Sequence, residues 1–169
     1  LGALWAWIAA VLRSKRNVHE VITTIMLNFI AFHLVNELSL NTFSGGEGTS
    51  RTAFIVPQAH IPEFLAWGRS ATSWGIVFAA LAAVGLSVFL YTSWKGFHIR
   101  AVGQNPKAAA YTGLSLPRLR AQAMMIGGAC AGLAGAIQVG GIDHTFYTRF
   151  TGSYGFDGIA VAFLGLNEP

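Results

Sequence analysis

The sequence predicts an all-α protein, a polytopic membrane helix bundle, and three observations point there. Of its 169 residues, 53% are hydrophobic and 11% are charged, against roughly a quarter charged in soluble domains. The apolar residues are gathered into long runs free of Lys, Arg, Asp and Glu, such as Trp74–Trp94 and Ala121–Gly141. The basic residues fall mainly in two clusters beside apolar runs, Arg13–Arg16 and Lys95–Arg120. A net charge of +4 distributed in this way fits the inner face of a membrane and argues against a nucleic-acid partner.

The single cysteine, Cys130, lies inside an apolar run, so neither an internal disulfide nor a metal site is expected. The chain has no initiator Met and no signal-peptide pattern, and it is read as beginning and ending inside apolar segments. It is expected to be an interior piece of a larger protein, one transmembrane domain over 1–169 truncated at both ends.

Taken in order, the run at 1–12 is too short to cross a bilayer, which takes ~20 residues, and reads as the tail of a helix. Arg13–Arg16 reads as a compact basic turn. The stretch 20–40 is long enough to span, although it holds Asn28, His33, Asn36 and Glu37. Polar groups at that depth should face protein or water, because lipid cannot satisfy them; Glu37 also suits the interface at the far end. Residues 41–73 are the extended polar region outside the spans, with loop chemistry in Ser44–Ser50 and an amphipathic piece, Ile61–Trp67, suited to lie at the interface. The run at 74–94 is an uncharged span with aromatic residues at both ends.

The loop 95–118 contains the best-punctuated helix of the chain. Asn105 offers a side-chain oxygen to free backbone N–H groups, Pro106 suits the first helical position, and Gly113 can take the left-handed conformation that ends a helix. Such a short, small-residue helix between spans reads as something to be gripped, or else as an ordinary basic loop. The span at 119–141 that follows is rich in small residues. Gly128 and Gly132 are four apart, as are Ala131 and Gly135, so another helix can approach closely, either for packing alone or for function.

With both basic loops on one side, that side holds eight Lys and Arg and the other holds three. The positive-inside rule then places loops 13–17 and 95–120 in the cytoplasm and 41–73 outside. The final apolar stretch, 155–167, is too short to span and carries Asp157 and three glycines. It reads as a broken helix near the C-terminal end, tolerated where it lines a cavity, or as a span cut short. Asp157 also suits a cap for a helix starting near Gly158.

Three stretches carry a resemblance: Arg100–Gly113 (RAVGQNPKAAAYTG), Gly127–Ala136 (GGACAGLAGA) and Gly155–Ala162 (GFDGIAVA). They resemble the permease subunits of bacterial ABC importers, in the branch serving ribose and other simple sugars, nucleosides and, more distantly, branched-chain amino acids. Glu20–Ala31 (EVITTIMLNFIA) resembles the nucleoside and simple-sugar members in particular. The likeness runs over nearly the whole chain, weakly at Asn41–Ser73. In the wider superfamily the loop facing the ATPase reads E-A-A-x-x-x-G, and Lys107–Gly113 is similar with Lys in place of Glu.

The resemblance implies a transport subunit of the bacterial inner membrane, not an enzyme. Arg100, Asn105, Pro106, Lys107, Ala108, Ala109, Ala110, Tyr111 and Gly113 would couple it to a separate ATPase subunit. It also implies a second permease subunit, an extracytoplasmic substrate-binding protein, and ATP and Mg held by the partner with no cofactor on this chain. The residues agree, since no G-x-x-x-x-G-K-[ST] phosphate loop occurs. The five histidines lack ligand spacing. For a polar, uncharged nucleoside or sugar, Asn28, Asn36, Gln138, Tyr154, Phe156 and Asp157 are candidates for the path, and for each a structural hydrogen bond is the competing role. A secondary transporter or channel for a small polar solute is the alternative reading.

Overall fold

A computed structural model describes residues 1–16, 20–39, 52, 63–67, 70–146 and 154–165. Seven α-helices run through these residues: α1 (Gly2–Arg16), α2 (Glu20–Glu37), α3 (Gly75–Thr92), α4 (Trp94–Gln104), α5 (Pro106–Tyr111), α6 (Leu116–Gln138) and α7 (Tyr154–Leu164). Helix α6 passes without a break into a π-helical turn, Val139–Asp143. The all-helical expectation holds with one exception, a hairpin of β1 (Glu63–Trp67) and β2 (Ser70–Ser73). Trp67 pairs with Ser70 and Ala66 with Ala71, antiparallel, with a register irregularity between Glu63 and Leu65. Part of the segment expected to lie at the interface is therefore extended, its backbone paired with Ser70–Ser73 instead of closing on itself. Ser44–Ser50, Ile61 and Pro62 lie outside the described residues.

Two helices, α3 and α6 with its π extension, are long and apolar enough to cross a membrane. The 18 residues of α3 rise about 27 Å. The 28 of Leu116–Asp143 rise about 42 Å, more than the ~30 Å hydrocarbon layer. Helices α1, α2 and α7 are apolar but shorter; the span expected over 20–40 leaves the α-helix after Glu37 for a π turn at Leu38–Ser39. Arg13–Arg16, expected as a turn, is the last turn of α1, because Arg and Lys are good helix formers and suit a helix C-terminus.

No large side chain among the described residues is fully buried, whereas Ile25, Phe29 and Ile30 of α2 and Ile76, Leu81 and Val84 of α3 are exposed. So much contiguous apolar surface is a property of helices covered by lipid or by other helices.

The chain forms two compact units, Leu1–Phe32 with Gly85–Ala136, and His33–Val84 with Ile137–Pro169. In the first, α1 crosses α6 at backbone contact. A Cβ on Gly128 would lie 2.5 Å from the Ala6 Cβ and 2.7 Å from the Gly2 carbonyl oxygen, and one on Gly132 would lie 3.3 Å from the Gly2 Cα. The pair expected to admit a close neighbour does so, and the neighbour is α1. A Cβ on Gly135 would meet nothing within 4 Å, so that position is not part of this crossing. Gly128→Leu is therefore expected to push the helices apart, at about 1–3 kcal/mol or more. Gly135→Ala should be neutral or stabilising by up to ~1 kcal/mol, since Ala is the better helix former. Thermal unfolding of the two variants in detergent measures the contrast.

In the second unit, Thr52 and Phe146 pair through their backbones, with the Thr52 N–H donating to the Phe146 carbonyl at 2.9 Å. The Phe146 N–H donates to the Thr52 hydroxyl at 3.0 Å, and the buried Thr145 hydroxyl donates to the Thr52 carbonyl at 3.0 Å. The expected outer loop is thus tied to the chain just beyond the end of α6. Helix α7 runs unbroken through Gly155, Asp157 and Gly158, so the expected interruption is not there. Asp157 sits inside the first turn rather than capping a helix from Gly158. A carboxylate at that place favours the helix by opposing the positive end of its dipole, and eleven residues suffice to hold single glycines in helical geometry. At about 17 Å, α7 is still too short to span.

Candidate functional site

The site is the connection between α3 and α6. Ser93 opens α4: its backbone is extended, and its hydroxyl accepts the Gly96 N–H at 3.0 Å. The bend is tight. A Cβ on Gly96 would meet the Phe89 carbonyl oxygen and lie 2.6 Å from the Leu90 Cα and 2.7 Å from its carbonyl oxygen. Across this bend the Arg100 guanidinium lies over the Tyr91 ring, 4.4 Å from its centroid. The Arg100 Nε is buried without a hydrogen-bond acceptor among the described residues. The sequence predicts loop over 95–104, and the structure has α4 there instead. Its helical signals were Ser93 as a cap and Ile99 and Val102 spaced three apart, a pattern shortened by Gly96 and Gly103.

Asn105 serves two helices at once. Its N–H donates to the Ala101 carbonyl at 3.1 Å, closing α4. Its side-chain oxygen accepts the Ala108 N–H at 3.1 Å, opening α5, with Pro106 next in the first turn. The end of α5 is equally closed. Gly113 has φ 80°, its N–H donates to the Ala110 carbonyl at 3.0 Å, and the Leu114 N–H reaches back to the Ala109 carbonyl at 3.2 Å. This pair of reversed bonds, with a left-handed glycine and a following apolar residue, is the Schellman arrangement. Cap, proline and glycine all stand where the sequence places them. Replacing Asn105 with Ala should cost about 1 kcal/mol of local stability, so hydrogen exchange at the Ala108 amide should quicken about fivefold.

What the sequence does not disclose is which way α5 faces. Ala109 is buried in a small core with Val102 of α4 and Leu119 of α6, flanked by Ile99, Leu114 and Leu116. Lys107, Ala108, Ala110 and Tyr111 are exposed, Tyr111 at 93%. Lys107 and Tyr111, four apart, stand side by side opposite Ala109. Ala109 thus holds α5 to its own chain, while Arg100 is turned to Tyr91; neither is on the exposed face with Lys107 and Tyr111.

The six candidates for a solute path are divided between the two units. Asn28 belongs to the first unit, and Asn36, Gln138, Tyr154, Phe156 and Asp157 to the second. Tyr154, Phe156 and Asp157 are exposed on the first turn of α7. The Gln138 amide donates to the Asp143 carboxylate at 3.0 Å, closing the π turn, and His144 follows in the left-handed region at φ 52°. Asp143 was not among the expected site residues; in sequence it is merely next to a histidine. Among the described residues no three His, Cys, Asp or Glu side chains gather as metal ligands would.

Two helices apolar and long enough to cross a membrane flank a short, doubly capped helix, and comparison with known proteins supplies the family. The family described as branched-chain amino acid transport system / permease component matches residues 1–169. The chain belongs to that family. It is 38% identical over 98% of its length to a guanosine ABC transporter permease protein of Bacillus subtilis, covering 48% of that protein. It is 33% identical over 99% of its length to a nucleoside ABC transporter permease protein of Lactococcus lactis, covering 48%, and 33% identical over 99% to a glucose ABC transporter permease protein of Haloferax volcanii, covering 46%. The chain spans about half the length of these relatives. No solved structure matches it significantly.

Proposed function

We propose that the chain is part of the membrane permease of an ATP-driven importer for a nucleoside or simple sugar, and that α5 is its coupling helix. The observation that carries this reading is the exposed Lys107–Tyr111 face on a helix capped at both ends and seated on α4 and α6 through Ala109. A helix so fixed moves as a rigid body, and a push on its outer face reaches both neighbours. The push would come from an ATPase subunit on the cytoplasmic side of a bacterial inner membrane, where loops 13–17 and 95–120 lie in this reading. ATP and Mg belong to that subunit. This chain contributes packing surface and no hydrolytic chemistry; a second permease subunit and an extracytoplasmic binding protein complete the assembly.

The tie between Thr52 and Phe146 supports this orientation, because Phe146 follows the end of α6 remote from α5. Asn28, Asn36, Tyr154, Phe156 and Asp157 supply hydrogen-bonding and aromatic surface for a polar, uncharged solute, and Gln138 does so with its amide already held by Asp143. Relatives named for guanosine, nucleosides and glucose support a nucleoside or sugar cargo. Uptake of labelled guanosine and glucose by cells depleted of ATP, with the membrane potential maintained, tests the reading. Uptake of one of them should stop. Uptake that continues at the same rate marks a transporter driven by the potential instead.

A further inference from the structure

Accepting α5 as the coupling helix, we infer that Arg100, stacked on Tyr91, is a positioning residue that locks α4 to the end of α3, so that displacement of α5 moves α3 rather than being absorbed at the Ser93 bend. Helix α5 is joined to α6 by a turn and by the packing of Ala109 on Leu119, so its motion reaches α6 directly. Its route to α3 along the chain runs through α4. That route has a weak point, because Ser93 is a single non-helical residue between two helices. A chain can swivel there unless something spans the bend.

Two contacts do. The Gly96 backbone rests against Phe89 and Leu90, which fixes how closely the helices approach but not their rotation about the contact. The Arg100 guanidinium lies over Tyr91, 4.4 Å from the ring centroid, one turn further along α4, where its leverage against rotation is greater. The arrangement is specific in chemistry. It needs a cation on one helix and a ring face on the other. It does not need the tyrosine hydroxyl. The Arg100 Nε is buried without a hydrogen-bond acceptor among the described residues.

The test uses the intact transporter, with its ATPase and binding protein, reconstituted in lipid vesicles. Substrate transported per ATP hydrolysed is measured for Tyr91→Leu, Arg100→Leu, the double variant and Tyr91→Phe. Each leucine variant should lower that ratio roughly three- to tenfold, the range a partly desolvated cation–π contact can supply, with stimulated ATP hydrolysis retained. The double variant should be no worse than the poorer single one, because the pair acts as a unit, and Tyr91→Phe should transport as the parent does. Ratios unchanged in the leucine variants, losses that multiply in the double variant, or hydrolysis and transport falling together would each overturn the role of Arg100. Failure of the coupling reading itself looks different: the unaltered transporter would then show no dependence on ATP.

Discussion

Gly96→Val is expected to prevent the protein from accumulating in the membrane. Valine at this position would drive its Cβ into the Phe89 carbonyl oxygen and to within 2.6 Å of the Leu90 Cα. Both obstacles are backbone, so no rotamer change relieves them. Ordinary overpacking of a core costs about 1–3 kcal/mol, and there the neighbours are side chains that yield. Here α4 has to swing away from α3, which would also pull Arg100 from Tyr91 and Val102 from Ala109. Against a total stability of about 5–15 kcal/mol, the loss of the whole corner is enough to expose the chain to proteolysis. The control is Gly103→Ala in the same helix, where an added Cβ would meet nothing within 4 Å. Membrane abundance of that variant should match the parent, while that of Gly96→Val should fall about tenfold or more. Equal abundance of the two would mean that the bend is looser than the structure has it.

The second large effect is on coupling rather than folding. Tyr111→Ala should leave membrane abundance unchanged, because the side chain is 93% exposed and rests on nothing whose loss would destabilise the fold. It should nevertheless remove most of the substrate-stimulated ATP hydrolysis. An aromatic side chain presented so fully is the kind of anchor on which interfaces concentrate their energy, and truncating one costs about 2 kcal/mol or more, a loss of roughly thirtyfold in affinity for the ATPase. Ala109→Trp fails in the opposite order. Its indole would have to enter the space between Val102 and Leu119, so stability falls first and coupling with it. Measuring abundance and stimulated hydrolysis together separates the two variants. A Tyr111→Ala protein hydrolysing ATP at the parent rate would remove that side chain from the coupling surface.

These expectations show where sequence and structure part company. The helix Pro106–Tyr111 was legible because its punctuation is local: Asn105, Pro106 and Gly113 each act on backbone groups within a few residues. The crossing at Gly128 and Gly132 was legible as a capacity, since two glycines on one face permit approach, but the partner α1 lies more than a hundred positions away in the chain and leaves no mark nearby. The face of α5 was not legible. Three consecutive alanines look alike in sequence, and only packing of the middle one against α4 and α6 distinguishes it. Helix α4 was missed because two glycines and a cluster of charges read as loop. The continuity of α7 was missed because Asp157 and its glycines were weighed as breakers when an acidic residue in a first turn is stabilising. The hairpin Glu63–Ser73 needed a pairing that apolar content does not reveal.

The most direct test of the account is the side of the membrane on which α5 stands. With Cys130 and any cysteine in the rest of the full-length permease replaced by Ala, Tyr111→Cys introduces a single reporter thiol, and vesicles of each orientation are treated with a thiol reagent that cannot cross lipid. The account predicts labelling in inside-out vesicles only, and loss of that labelling when the ATPase subunit is bound. Labelling in right-side-out vesicles would contradict it, because a motor in the cytoplasm cannot reach a helix on the outer face.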